Sequence, residues 1–303
     1  MNFLPYIDVK EAMETVVSVK QTAATLSESQ KAALLKLLTD EDPEVHLTIR
    51  KRILAQGYAA AGWLRQHRLS ADPVLRRRVN AILLHMERQE ADTAFLGFCI
   101  SRGEDFDLEQ GCWSLARTQY PDINPAGYSA LLDEFAAVLL PRLDAGAKPE
   151  TILEIINRYL FTEAGFRGNA ERYYEAENSY LNRVMDRRTG IPITLSLIYL
   201  FICRRLRLPV AAIGMPGHFL CRFQNSKEEI YIDAFHRGQM LTRNDCIRHL
   251  TRTGHEYTDR LLAPVSPRRT LLRICTNLHQ IYVNQESPED TARFQRYIVA
   301  LGK

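Results

Sequence analysis

An α+β fold behind an all-helical front is what the sequence predicts, on three observations. Residues 8–90 read as helices almost throughout, a thirteen-residue apolar stretch at Ile191–Cys203 opens with a proline in its first turn, and three short β-like runs lie between Leu208 and Phe235. With 303 residues, 46% hydrophobic and 25% charged, the chain has the balance of a soluble globular protein long enough for two domains. The expected division is a helical region at 1–106, a mixed core at 107–265 and C-terminal helices at 266–303.

In the front, Glu28–Leu38 carries Ala32, Leu34, Leu35, Leu37 and Leu38 at helical spacing and stops at Asp40-Glu41-Asp42. Pro43 then suits the first turn of a second helix, running to about Gln56. The same grammar recurs: a helix near Tyr58–Gln66, a Ser70-Ala71-Asp72 turn, Pro73, and a helix to about Arg88. A helix, an Asp-Pro turn and a second helix resemble a HEAT-like repeat. A plain helical bundle fits the same pattern. Arg50-Lys51-Arg52 and Arg76-Arg77-Arg78 offer a phosphate-contacting ridge or, as nearby acidic residues favour, a solvated helix face.

From Asp107 onward, helices are expected near Leu108–Thr118, Ala126–Leu140 and Pro149–Phe161, then a glycine-rich turn at Gly165–Asn169 and a short helix at Leu181–Arg187. The run Ile191–Cys203 is apolar nearly all round, too short to span a bilayer and long enough for a core helix. Arg204, Arg205 and Arg207 close it at the negative end of the helix dipole. Strands follow at Leu208–Gly214, His218–Phe223 and Glu229–Phe235. If Phe223 pairs with Glu228, antiparallel register sets His218 opposite Asp233, about 5 Å apart at Cβ on one sheet face. Residues 267–300 leave room for two more helices.

No stretch approaches the roughly 20 apolar residues of a membrane span, and the N-terminus lacks a secretory pattern. A formal charge of +3 does not predict a nucleic-acid binder. The six cysteines show no CxxC pair and no histidine cluster at zinc spacing, so free thiols in a reducing cytoplasm are expected, without metal or cofactor.

Five motifs occur in order: Gly165-Phe166-Arg167-Gly168-Asn169; Asn178-Ser179-Tyr180-Leu181; Arg187-Arg188-Thr189-Gly190-Ile191-Pro192-Ile193-Thr194-Leu195-Ser196; Pro216-Gly217-His218-Phe219-Leu220; and Asp233-Ala234-Phe235. Together they resemble the bacterial SirB-type branch of the transglutaminase-like family over roughly residues 107–285. The resemblance implies a papain-like core in which a central helix packs on an antiparallel sheet, with His218 and Asp233 matching the His and Asp of the transglutaminase triad.

In that triad a thiol stands at the helix N-terminus, where the dipole and an imidazolium lower its pKa, and the Asp orients the ring. Here the helix begins Gly190-Ile191-Pro192, with proline at the nucleophile position. Ser196 lies about 6 Å deeper, Thr194 points about 200° around the helix, and Cys203 is far along it. Cys221 faces the other side of the sheet from His218. Asn169 and Asn178 either shape a groove edge or brace turns. Arg188 and its neighbour Arg187 either bind a substrate carboxylate or pair with Glu175 or Glu177.

The favoured expectation is a non-catalytic domain whose groove binds a peptide or protein partner. The alternatives are a hydrolase or acyl-transfer enzyme in which His218 and Asp233 activate water or a substrate nucleophile, and a nucleic-acid-associated module using the arginine ridges.

Overall fold

The computed structural model describes residues 26–303, divided between Glu87 and Arg88 into two compact units. The part of the expected helical front at residues 8–25 lies outside the described residues.

In the first unit, α1 (Glu28–Leu38), α2 (Pro43–Leu54), α3 (Tyr58–Leu64) and the start of α4 (Pro73–Ser101) enclose a core of Leu34, Leu38, Ile53, Leu64 and Ile82. Both Asp-Pro turns work as N-caps. Asp42 accepts from the Glu44 N–H at 2.9 Å, and Asp72 accepts from Val74 at 2.8 Å and Leu75 at 3.2 Å. Within the second basic run, Arg78 donates to the carbonyls of Leu38 and Asp40, capping the end of α1, and Arg76 donates to Ser70 O. Helix α4 continues past the expected Arg88 because residues 86–96 contain neither glycine nor proline. Its second half carries Phe95 and Cys99 into the core of the second unit, so the division falls earlier than the boundary expected at 106.

The second unit is α+β. Helices α5 (Leu108–Gln119), α6 (Pro125–Leu139) and α7 (Pro149–Arg158) lead into a π-helical turn at Tyr159–Glu163. A two-residue parallel bridge joins β1 (Arg167–Gly168) to β2 (Thr189–Gly190), with α8 (Leu181–Arg187) between them. The central helix α9 (Pro192–Arg205) is buried over Pro192–Tyr199 and Phe201–Cys203. Each of its enclosed Leu and Ile side chains contributes about 1.5–3 kcal/mol of burial. At its start Thr194 Oγ1 accepts the Ile191 N–H at 3.2 Å and donates to Asn178 O at 2.8 Å. At its end Arg204 and Arg205 pair with buried Glu109, and Arg207 turns the chain with φ of 56°.

An antiparallel meander follows, β3 (Val210–Ile213), β4 (Leu220–Gln224), β5 (Glu229–Asp233) and β6 (Gln239–Leu241), in that spatial order. The last strand and helix α10 (Arg243–Arg252) after it go beyond the three expected strands. Residues 267–300 form two helices as expected, α11 (Pro267–Asn284) and α12 (Pro288–Leu301), whose Leu271, Ile274, Leu278 and Phe294 share one core with α9. No helix among the described residues is long and apolar enough to cross a membrane.

Alternation along the strands gives the sheet two different faces. Cys221, Phe223, Ile230 and Ile232 join the core around α9. Ile213, Leu220 and Tyr231 point the other way, into a smaller cluster with Cys246 and Leu250 of α10.

Candidate functional site

The register differs from the expected one by two residues: Phe223 pairs with Ile230, and Gln224 with Glu229. Asn225 sets it, its side-chain oxygen accepting the N–H groups of Lys227 and Glu228, both at 2.8 Å. A slip of two preserves the side-chain face, whereas a slip of one would have reversed it. His218 lies in the turn before β4, its N–H bonded to Met215 O, rather than in the strand.

The structure brings His218 and Asp233 together, with Nε2 2.7 Å from Oδ2. Asp233 ends β5 and turns the chain, its Oδ1 accepting the N–H groups of Phe235 at 3.1 Å and His236 at 3.2 Å. The turn closes with Gly238 N–H on Asp233 O, while Asn157 of α7 donates to Gly238 O at 2.7 Å. Only glycine fits there: φ is +74°, and a Cβ would fall 2.3 Å from Asn157 Oδ1. This fixed turn aims Oδ2 at a second imidazole as well, that of His236, whose Nδ1 is 2.8 Å away. Asp233 is 5% exposed. Burial pushes its carboxyl pKa up, but hydrogen bonds and charge from His218 and then His236 outweigh this and hold it below the usual aspartate value.

These groups line a cavity of about 570 Å³ between the outer sheet face and α10. His249 of α10 completes the arrangement, its ring 5.7 Å from that of His218. Burial and the neighbouring His218 charge lower its pKa, favouring the neutral ring. Arg248, Arg252 and Asp245 reach the same cavity.

Pro192 is buried at the first turn of α9 and is not among the residues lining this cavity. Asp233 has the face parity of Tyr231 and Leu220, so the pair opens away from the sheet face that α9 covers. The substitute nucleophiles are engaged elsewhere. Ser196 donates to Phe219 O at 3.4 Å, and Cys221 donates to Ser196 O at 3.2 Å. All six cysteines are buried, and burial raises every thiol pKa, those of Cys221 and Cys246 to about 12.

The remaining expected residues sit around the start of α9. Asn169 donates to Asn178 Oδ1 at 3.0 Å, and buried Asn178 donates to the carbonyls of Arg172 and Tyr173, so this pair braces the loop. Arg187 bonds Glu175 and Glu177, both at 2.6 Å. Arg188 stacks over Phe135 and Phe166 at 4.9 and 4.7 Å, with a buried Nη1 lacking a hydrogen-bond partner, and burial lowers its pKa. None of these four lines the cavity.

His236 and His249 escaped the sequence reading. The signal for the first was Asp-x-x-His at a strand end, where an aspartate-centred turn folds residue i+3 back onto the carboxylate. For the second it was Thr242-x-x-Asp245, a capping box opening a helix that carries His249.

A family model for the transglutaminase-like superfamily matches residues 126–276. The chain is 34% identical over 194 residues to a UPF0162 protein of Xylella fastidiosa, an alignment covering 62% of this chain and 69% of that one. A UPF0162 protein of Pseudomonas aeruginosa is 26% identical over 207 residues, covering 67% and 75%. F-box only protein 21 of Mus musculus is 38% identical over 135 residues, covering 42% of this chain and 21% of that one. No solved structure matches the chain significantly.

Proposed function

This chain belongs to the bacterial, transglutaminase-like UPF0162 family, and on that premise we propose that it is a non-catalytic module that binds an acidic peptide segment of a protein partner. One observation carries the reading: the His218–Asp233 pair opens onto a cavity on the sheet face away from Pro192 and Cys221. A thiol acyl transfer needs imidazole and thiolate in contact. In this fold every cysteine is buried with its thiol pKa raised, and Pro192 offers neither thiol nor hydroxyl. The cavity carries three imidazoles and two arginines against Asp233 and Asp245, which suits carboxylate side chains. The recurrence of a 135-residue stretch at 38% identity within the longer F-box only protein 21 supports a portable domain.

A second reading rests on the 2.7 Å His218–Asp233 bond itself: a hydrogen-bonded pair facing a cavity can activate water or a substrate nucleophile. One experiment separates the two. Fluorescein-labelled acidic peptides and their amide-matched counterparts are titrated against the chain, and each mixture is assayed for hydrolysis and for amine incorporation. The expected result is retention of acidic peptides, weakened by about tenfold in Arg252→Ala, with no product. Product formation that His218→Ala abolishes would overturn the non-catalytic reading. Equal retention of both peptide sets, or of neither, would overturn the acidic partner.

A further inference from the structure

The Asp233 carboxylate has an arrangement that neither peptide binding nor a transglutaminase triad requires. A triad needs one imidazole on the carboxylate; here two converge on the same oxygen, His218 Nε2 at 2.7 Å and His236 Nδ1 at 2.8 Å. The other oxygen is already saturated by two backbone N–H groups, so Oδ2 is held toward the space between the rings. One ligand atom from each of the three residues lies within 4.8 Å of the others.

We propose that His218 Nε2, His236 Nδ1 and Asp233 Oδ2 form a binding site for a divalent transition-metal ion of the zinc class.

The donor set fits. Two imidazoles and one carboxylate suit zinc and its first-row neighbours rather than calcium or magnesium, which take oxygen ligands. Three protein ligands with a cavity in front leave a coordination position open. A tetrahedral ion with bonds of about 2.0–2.1 Å spaces its ligands about 3.3 Å apart. The two imidazole nitrogens therefore withdraw about half an ångström from Oδ2 and settle to the same spacing from each other, from a separation of at most 4.8 Å. His236 can do this, because its side chain is 60% exposed. In its neutral form a ring can carry its proton on the nitrogen turned away from the ion, leaving the other nitrogen free to ligate. The backbone bonds to Oδ1 and the Asn157–Gly238 brace are the outer contacts that keep a ligating carboxylate in place. His249, close behind His218, supplies a further nitrogen on the cavity side.

The site went unseen in the sequence because its ligands come from a turn and a strand end, in no zinc-like spacing. It shares a cavity with the proposed peptide site but does not depend on it. The probe is the metal alone, so its failure would leave the peptide reading standing.

The full chain, stripped with chelator, is titrated with Zn²⁺ by calorimetry and with Co²⁺ by visible absorption, alongside His236→Ala, His218→Ala and His255→Ala. His255 is exposed in the loop after α10 and neither lines the cavity nor belongs to the cluster, so it controls for adventitious surface binding. The expected result is one Zn²⁺ per chain and an intense low-symmetry Co²⁺ spectrum. Affinity should fall by at least about 100-fold in His236→Ala and in His218→Ala, and stay unchanged in His255→Ala. Because His236 is exposed, its variant keeps the fold, checked by circular dichroism. Wild-type binding no tighter than that of His236→Ala would overturn the site and leave a hydrogen-bonded His–Asp–His cluster.

Discussion

The two faces of the four-stranded sheet solve opposite problems with adjacent residues. On the face turned to α9, Cys221, Phe223, Ile230 and Ile232 are packed among apolar side chains, and even the thiol is consumed by a backbone carbonyl. On the other face, one residue along, Leu220 and Tyr231 anchor a small cluster, and beyond it the strands run out into His218, Asp233 and His236 around a cavity. A triad built across the first face would need its nucleophile at the start of α9, where Pro192 is buried. The difference teaches that the His–Asp pair and the helix start, neighbours in the family pattern, lie apart here: one face holds the fold and the other opens the pair onto a cavity.

That division predicts an ordered set of mutational costs. The largest belongs to the packed face. Ile232→Ala removes a fully buried side chain beneath α9 and should cost about 2–5 kcal/mol, read from denaturant midpoints at constant m. Next comes Asp233→Asn, at about 1–3 kcal/mol near neutral pH, because it weakens a buried acceptor that serves two N–H groups and two imidazoles. The sign of its pH dependence follows from the lowered carboxyl pKa. The stabilisation is complete above the unfolded-state value and is lost as pH falls through the folded-state value. The gap between Asp233→Asn and the wild type should therefore close on acidification, in urea melts taken from neutral pH downward. A constant gap would mean that Asp233 acts through shape alone. A third test concerns the thiols. Iodoacetamide should label none of the six cysteines in the native chain and all of them in denaturant, read by intact mass. Rapid native labelling at Cys221, on the face turned to α9, would break the contrast between sealed and open faces.

The sequence made the packed face more legible than the open one. The central helix, the hairpin and both Asp-Pro caps follow from local rules: an apolar run with proline in its first turn, alternation around a polar loop, and aspartate before a helix. The pairing of His218 with Asp233 was also legible, since face parity survives the two-residue register difference that Asn225 imposes. What stayed hidden is what long-range geometry decides. Strand β6 has only three residues, and α10 is polar on most positions, so neither advertised itself. Nothing local says that α10 folds back to set His249 beside His218. Asn169, Asn178 and Arg187 were open to two readings, and their contacts are with the loop and the carboxylates that brace α9, which no spacing rule could have decided.

The smallest expected effect is the most discriminating. His236 is largely exposed, and its side chain touches the fold through one hydrogen bond to Asp233, an edge-on contact with Phe235 and a tilted ring contact with His218. His236→Ala should therefore change stability by no more than about 0.5 kcal/mol at neutral pH, within the range of ordinary surface substitutions. It also removes one of the groups that hold the Asp233 pKa down, so the stability lost on acidification should be smaller than in the wild type and complete at a higher pH. A residue that costs so little to remove, yet is aimed by a glycine-dependent turn at the same oxygen as His218, adds little to the fold. A loss as large as that of Asp233→Asn would reverse this conclusion, making the cluster a brace for the sheet end and the open face a second structural one.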